Sequence, residues 1–280
     1  MQYPLPSVSA PPRIFIFLGL CALCLIPFRD PLSALLHHAA ANDLYGHAAV
    51  VPLVVAALLY VERETIFRCP YYSPLPGLAV LAAAILLQLT ATTLTVSILA
   101  LVIAWTGAFL ACYGAPALYA ARFPLLFLLW MVPPPASLIE RLSIALQNAS
   151  ADISHSLFKL LGIPVFRQGF QFSLPGLTVQ VAEQCSGIRS TLALVITGVL
   201  LAYLFLKSIW RRAALVVILA FLGVFKNAVR IVFISGVSAY FDKDFMDGSL
   251  HHTYGGTVFS ALAIVLVLPL LLYFRRCEQN

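Results

Sequence analysis

Residues 213–236 read AALVVILAFLGVFKNAVRIVFISG, an apolar run whose only charged members are Lys226 and Arg230. At about 1.5 Å of rise per helical residue, a run of this length crosses a hydrocarbon layer about 30 Å thick. Outward from it, comparable runs lie at roughly residues 13–27, 46–61, 76–91, 95–113, 123–139, 188–206 and 254–274. The expectation is an all-α integral membrane protein of about eight transmembrane helices. Composition agrees, because 61% hydrophobic and 10% charged residues in 280 give more apolar surface than one water-soluble core can bury.

The net charge of +6 is spread over several connections, without the long basic run or aromatic interleaving that nucleic-acid binding needs. It reads instead as a topology signal. Arg13, then Arg63 and Arg68, then Arg122, then Lys207, Arg211 and Arg212, and finally Arg275 and Arg276 all fall on one side of the expected spans. Two opposite short connections, Thr92-Thr93 and the stretch from Gly236 to Ser249, carry no Lys or Arg apart from Lys243. By the positive-inside rule the basic side is cytoplasmic, and both termini are expected there.

The first apolar stretch, residues 14–26, has no small-residue cleavage pattern after it and reads as a retained span. Cys21, Cys24 and Cys112 lie inside apolar runs, and Cys69 and Cys277 in inner connections, so none pairs obviously with Cys185. The Cys21-x-x-Cys24 spacing, inside a lipid-facing helix, reads as packing.

One outer connection, residues 133–187, is too long to be a plain link. Pro133-Pro134-Pro135 ends the fifth span by removing backbone donors and barring helical geometry upstream. Residues 137–161 then mix Leu and Ile with Glu140, Arg141, Gln147, Asn148, Asp152 and Lys159, the composition of an amphipathic helix lying along or dipping into the outer interface. After Gly162-Ile163-Pro164, residues 165–172 and 177–181 read as two strands of a small extracytoplasmic β-hairpin before the sixth span. The chain divides into an N-terminal transmembrane region, 1–132, whose five spans run to about 139, and a catalytic region, 133–280.

Polar residues that persist against a lipid background carry the chemistry, since ionisable groups inside a span are costly unless paired or hydrated. Cys185 sits near the first turn of the sixth span, where free amides and the helix dipole favour a thiolate, and Arg189 adds positive charge. Arg230 lies in the outer part of the seventh span, about 9 Å below its expected end near Gly236. His251 and His252 open the eighth. All three places belong to the same leaflet. A thiolate nucleophile, a histidine base and an arginine donating to an oxyanion form an acyl-transfer set. Singly, each has a plainer reading: an inert boundary thiol, an ion pair of Arg230 with Glu183 or Asp247, and interfacial histidines anchoring a helix end. Glu183 would orient Arg189 or Arg230, and Asn227 would hydrogen-bond in the site or to the next helix. Lys226 reads as structural, and His37, His38, His47 and His155 show no partner spacing.

Glu183-x-Cys185-Ser186-Gly187-Ile188-Arg189-Ser190, then Asn227-x-x-Arg230-Ile231, then His251-x-x-x-Gly255-x-x-x-Phe259 resemble the three motifs of the exosortase/archaeosortase family. The likeness covers the C-terminal half, and its first string is the most specific. It implies Cys185 as nucleophile, Arg230 as essential cation and His251 as base, although His252 with Gly256 fits the short H-x-x-x-G part as well. It also implies a cysteine transpeptidase of the bacterial inner membrane with its site facing the periplasm. Its substrates would be exported proteins ending in a Pro-Glu-Pro-type motif, one transmembrane helix and a basic tail. No cofactor or metal is expected, and the partners are those proteins and membrane lipid, not nucleic acid.

Two other classes are set beside this one. A metal-dependent membrane hydrolase would draw on Glu183, Asp247, His251 and His252, but no H-E-x-x-H-like spacing is present. A transporter or non-catalytic scaffold linked to exopolysaccharide secretion would use Arg230 as an anion site, but the spans show no internal repeat.

Overall fold

The computed structural model describes residues 11–42, 44–68, 73–180, 187–240 and 255–279. The chain forms two compact units, Met1–Pro135 and Ala136–Asn280.

The first unit contains α1 (Pro11–Cys24), α2 (Arg29–Ala41), α3 (Val51–Val61), the short α4 (Arg63–Ile66), α5 (Pro74–Thr90), α6 (Leu94–Ala120) and the short α7 (Arg122–Phe127). Between α1 and α2 the chain turns by 81°. Pro27 lies in that break, where it removes a backbone donor. Helix α2 falls where sequence reading leaves a connection. Its two histidines dilute the apolar signal, but Leu35 is buried and the turn preceding it buries Phe28.

Helices α5 and α6 pack closely because glycine allows it. A β-carbon on Gly77 would run into the backbone of Ala111, and one on Gly107 would come 2.8 Å from the Leu81 nitrogen. In lipid, where apolar side chains gain nothing by leaving the solvent, such small-residue contacts are a main source of helix association. Farther along, α6 is kinked at Gly114 (φ +80°), two residues before Pro116. Thr95 Oγ1 donates to the Pro133 carbonyl at 2.8 Å and ties the start of the proline run to α6.

The expected fifth span, 123–139, is broken. α7 gives way to a 3-10 turn ending at Met131, and helix resumes only at Ala136, because three successive prolines cannot supply helical N–H groups. Among the described residues three helices are long and apolar enough to cross a membrane, or up to five if two broken pairs are each counted as one span.

The second unit contains α8 (Ala136–Leu160), β1 (Phe166–Gln168), β2 (Gln171–Leu174), β3 (Leu177–Gln180), α9 (Ile188–Phe205), α10 (Ile209–Tyr240) and α11 (Gly255–Gln279). The expected hairpin is a three-stranded antiparallel sheet in the order β1-β2-β3. What reads as one strand over 165–172 is folded back at Gly169, whose φ of +60° lies in the left-handed region open to glycine. Arg167 thereby faces Phe172 across β1 and β2, and Phe172 faces Val179 across β2 and β3. Alternation buries Phe172, Leu174 and Val179 against Ala151 and Phe158 of α8 and Ile231 and Val232 of α10. The sheet is thus seated on two helices.

Helices α9, α10 and α11 share a second core of Leu194, Ala202, Leu206, Leu215, Leu219, Val267 and Leu271. At the turn between α9 and α10, the Glu278 carboxylate at the end of α11 accepts from the backbone N–H of Lys207 (2.9 Å) and of Ser208 (2.9 Å). Those amides precede α10, where a negative charge is favoured by the helix dipole. They hold the Glu278 pKa below its ordinary value, with the nearby Arg211 and Lys207 charges adding to the effect.

Candidate active site

The start of α9 meets the middle of α10 through the smallest residue available. Gly187 caps α9 in the left-handed conformation (φ +74°), and a β-carbon there would lie 2.8 Å from Asn227 Cγ and 3.0 Å from its Cβ. The conformation and the space both demand glycine. One turn along, the Thr191 N–H and the Ser190 hydroxyl both donate to the Gly187 carbonyl, at 2.9 and 3.1 Å. Thr191 packs on Gly223, where a β-carbon would come 2.6 Å from Thr191 Oγ1. Gly187 and Thr191 on α9 therefore match Asn227 and Gly223 on α10, four residues apart on each helix, as in an antiparallel crossing.

Asn227 is 2% exposed and is held from its other side by α8, its Nδ2 donating to Ser150 Oγ at 3.1 Å. Ser154 on the same face of α8 shares its hydroxyl proton between the Ser150 carbonyl (2.7 Å) and the Ala228 carbonyl (3.3 Å). Ser143, Gln147, Ser150 and Ser154 are all buried. They recur at spacings of four, three and four, one face of a helix. Sequence reading passed over this polar stripe: the signal was present as a period, but it needed a partner helix to give it meaning.

Arg230 lies one turn beyond Asn227 and is half-buried, next to Ile231 and Val232, on which the sheet rests. Helix α10 continues to Tyr240, past the expected end near Gly236, and its last turns bury Ser235 and Ser238. Arg230 is therefore about 15 Å along the axis from the end of α10, against the 9 Å expected. Arg189 is exposed on the first turn of α9. Lys226 is buried beside Asn227.

Of the residues singled out from sequence, Gly187, Arg189, Asn227 and Arg230 are described. Asn227 joins Gly187 to α8. Glu183, Cys185, Ser186, His251 and His252 lie outside the described residues, as do Asp247 and Cys69. In chain order the N-terminus of α9, the C-terminus of α10 and the N-terminus of α11 flank residues 181–186 and 241–254, whereas Cys69 falls between α4 and α5.

The family model described as transmembrane exosortase matches residues 39–268, most of the chain. Searches of curated proteins and of solved structures returned no match. The protein belongs to the transmembrane exosortase family and is a multi-pass, mainly helical membrane protein.

Proposed function

We propose that this protein is a membrane-embedded cysteine transpeptidase that cleaves C-terminal sorting signals of exported proteins at the outer face of the bacterial inner membrane. The observation that carries the reading is the contact of Gly187 with Asn227, which joins the Cys185-containing motif to the Arg230-containing one inside a chain of this family. Cys185 precedes Gly187 by two residues, and Arg230 follows Asn227 by three.

In this reading the Cys185 thiolate attacks the carbonyl carbon of the scissile peptide bond, and the displaced electron pair rests on the carbonyl oxygen. Arg230 donates to that oxyanion, since a guanidinium offers fixed donors and stays charged at any working pH. Collapse of the intermediate expels the amine, which takes a proton from the His251 imidazolium and leaves a thioester on Cys185. An acceptor nucleophile then gives its proton to His251, attacks the thioester and releases the thiolate. Glu183, Ser186, Arg189 and His252 support this set.

The topology that suits it has eight spans, both termini cytoplasmic and the residues from 133 onward forming the catalytic region. A substrate with one transmembrane helix and a basic tail would then present its motif at the depth of Cys185. The test is co-expression with a protein carrying such a tail. Cys185→Ala and Cys185→Ser should insert normally and leave the tail uncut, because a hydroxyl lacks the acidity of the thiol. Processing at the wild-type rate in Cys185→Ala membranes would remove the reading.

A further inference from the structure

A cavity of about 620 Å3 opens between the C-terminal half of α8 and β1, lined by Asp152, His155, Lys159, Phe166, Arg167 and Gly169 among others. Its volume falls in the range of roughly 300–1,000 Å3 typical of small-molecule sites. The catalytic reading uses none of these residues. Arg167 is fixed in place before any ligand arrives: its Nε donates to the Gly169 carbonyl at 2.8 Å, its Nη1 to Asp152 Oδ1 at 2.6 Å, and its guanidinium lies 5.9 Å from the Phe172 ring centre. The Nη2 group has no protein partner among the described residues. Asp152 offsets one cation, leaving Lys159 as net positive charge on the same face of α8.

His155 adds a donor. Its Nδ1 is shut off from solvent and has no hydrogen-bond partner among the described residues. An N–H buried without an acceptor is costly, which favours the neutral tautomer with its proton on Nε2. Beside the cavity stand three large apolar side chains in the open: Leu160 (82% exposed), Leu161 (62%) and Phe166 (69%). Apolar side chains next to a basic, partly preorganised pocket are what a protein places at the boundary between acyl chains and headgroups.

We propose that this pocket binds the phosphate of an anionic phospholipid headgroup, with Arg167 and Lys159 as its cations and His155 as a neutral donor, while Leu160, Leu161 and Phe166 enter the acyl region. The ligand assignment stands apart from the peptidase reading, and only the choice of outer leaflet rests on it. Basic pockets on membrane proteins recognise headgroups by this combination of charge and depth.

The experiment is native mass spectrometry of the full chain in uncharged detergent, titrated with phosphatidylglycerol, with diacylglycerol and with glycerol 3-phosphate. Phosphatidylglycerol should be retained and diacylglycerol should not. Lys159→Gln should weaken retention about fivefold, and Arg167→Gln about tenfold or more. Because Arg167→Gln also frees Asp152 and can loosen the sheet, Lys159→Gln, an exposed position, is the decisive variant. Arg141→Gln, an exposed cation on α8 outside the cavity, should leave retention unchanged. Equal retention in wild type and Lys159→Gln, or an equal loss in Arg141→Gln, would overturn the site. Glycerol 3-phosphate binding as tightly as the lipid would overturn the headgroup assignment in favour of a free phosphate ester.

Discussion

Gly187 and Asn227 approach so closely that no side chain fits on the glycine: a β-carbon there would lie 2.8 Å from Asn227 Cγ, on a backbone already at φ +74°. Gly187→Ala therefore combines left-handed strain of about 1–2 kcal/mol with an overpacking cost of about 1–3 kcal/mol. The variant should melt earlier than wild type in detergent. Shortening the neighbour should relieve only the second part, so Gly187→Ala should cost less in an Asn227→Ser background. Equal costs in the two backgrounds would show that the contact carries no strain.

Asn227 also links α10 to α8 through Ser150. Both side chains are buried, so Asn227→Ala and Ser150→Ala should each lower stability by about 1–3 kcal/mol by leaving a polar partner unmatched. The double variant should cost less than the sum, with a coupling of about 1 kcal/mol. Strict additivity in a double-mutant cycle, read from denaturation midpoints, would mean the hydrogen bond contributes nothing.

Arg230 separates a catalytic role from a structural one. If it holds the oxyanion, Arg230→Lys keeps the charge but loses the planar fork of donors, and turnover should fall by about 10² or more at normal membrane abundance. Acyl-enzyme formation at Cys185 in a single turnover is the direct measurement. Normal acylation in Arg230→Lys would end the oxyanion assignment. Arg230→Met lowering abundance while Arg230→Lys restores it would point instead to an ion pair.

Glu278 predicts an acid-sensitive joint at the opposite end of the helix group. Its pKa in the folded chain is depressed below the ordinary 4.5 by the Ser208 and Lys207 amides, so the ionised form is the one folding favours. Its contribution is complete above the unfolded-state pKa and disappears as pH falls through the folded one. Glu278→Gln should melt lower than wild type at neutral pH, and the two curves should converge in acid. A difference that persists unchanged into strong acid would show that the carboxylate charge is not responsible.

Several features were legible without coordinates because they are local. Apolar runs declare a lipid solvent, the three prolines at 133–135 end a helix wherever they stand, and the composition of 137–161 announces an amphipathic helix. The Glu-x-Cys-Ser-Gly string pointed to the family that the match over 39–268 established. The fold-back at Gly169 is not legible in the sequence because a strand-like run hides a single glycine turn.

What only the tertiary structure decided is which residues meet across those elements. Ser150 and Asn227 are 77 positions apart, and Lys207 and Glu278 are 71 apart. Nothing in hydropathy distinguishes a serine that faces a helix from one that faces solvent. The same holds for His155 and Arg167, unremarkable in sequence until β1 folds beside α8 and the two line one open pocket. Periodicity along a chain determines which face of a helix is polar, whereas the rotation and depth at which that face meets another are set by packing, where a glycine such as Gly187 lets two backbones approach as no other residue could.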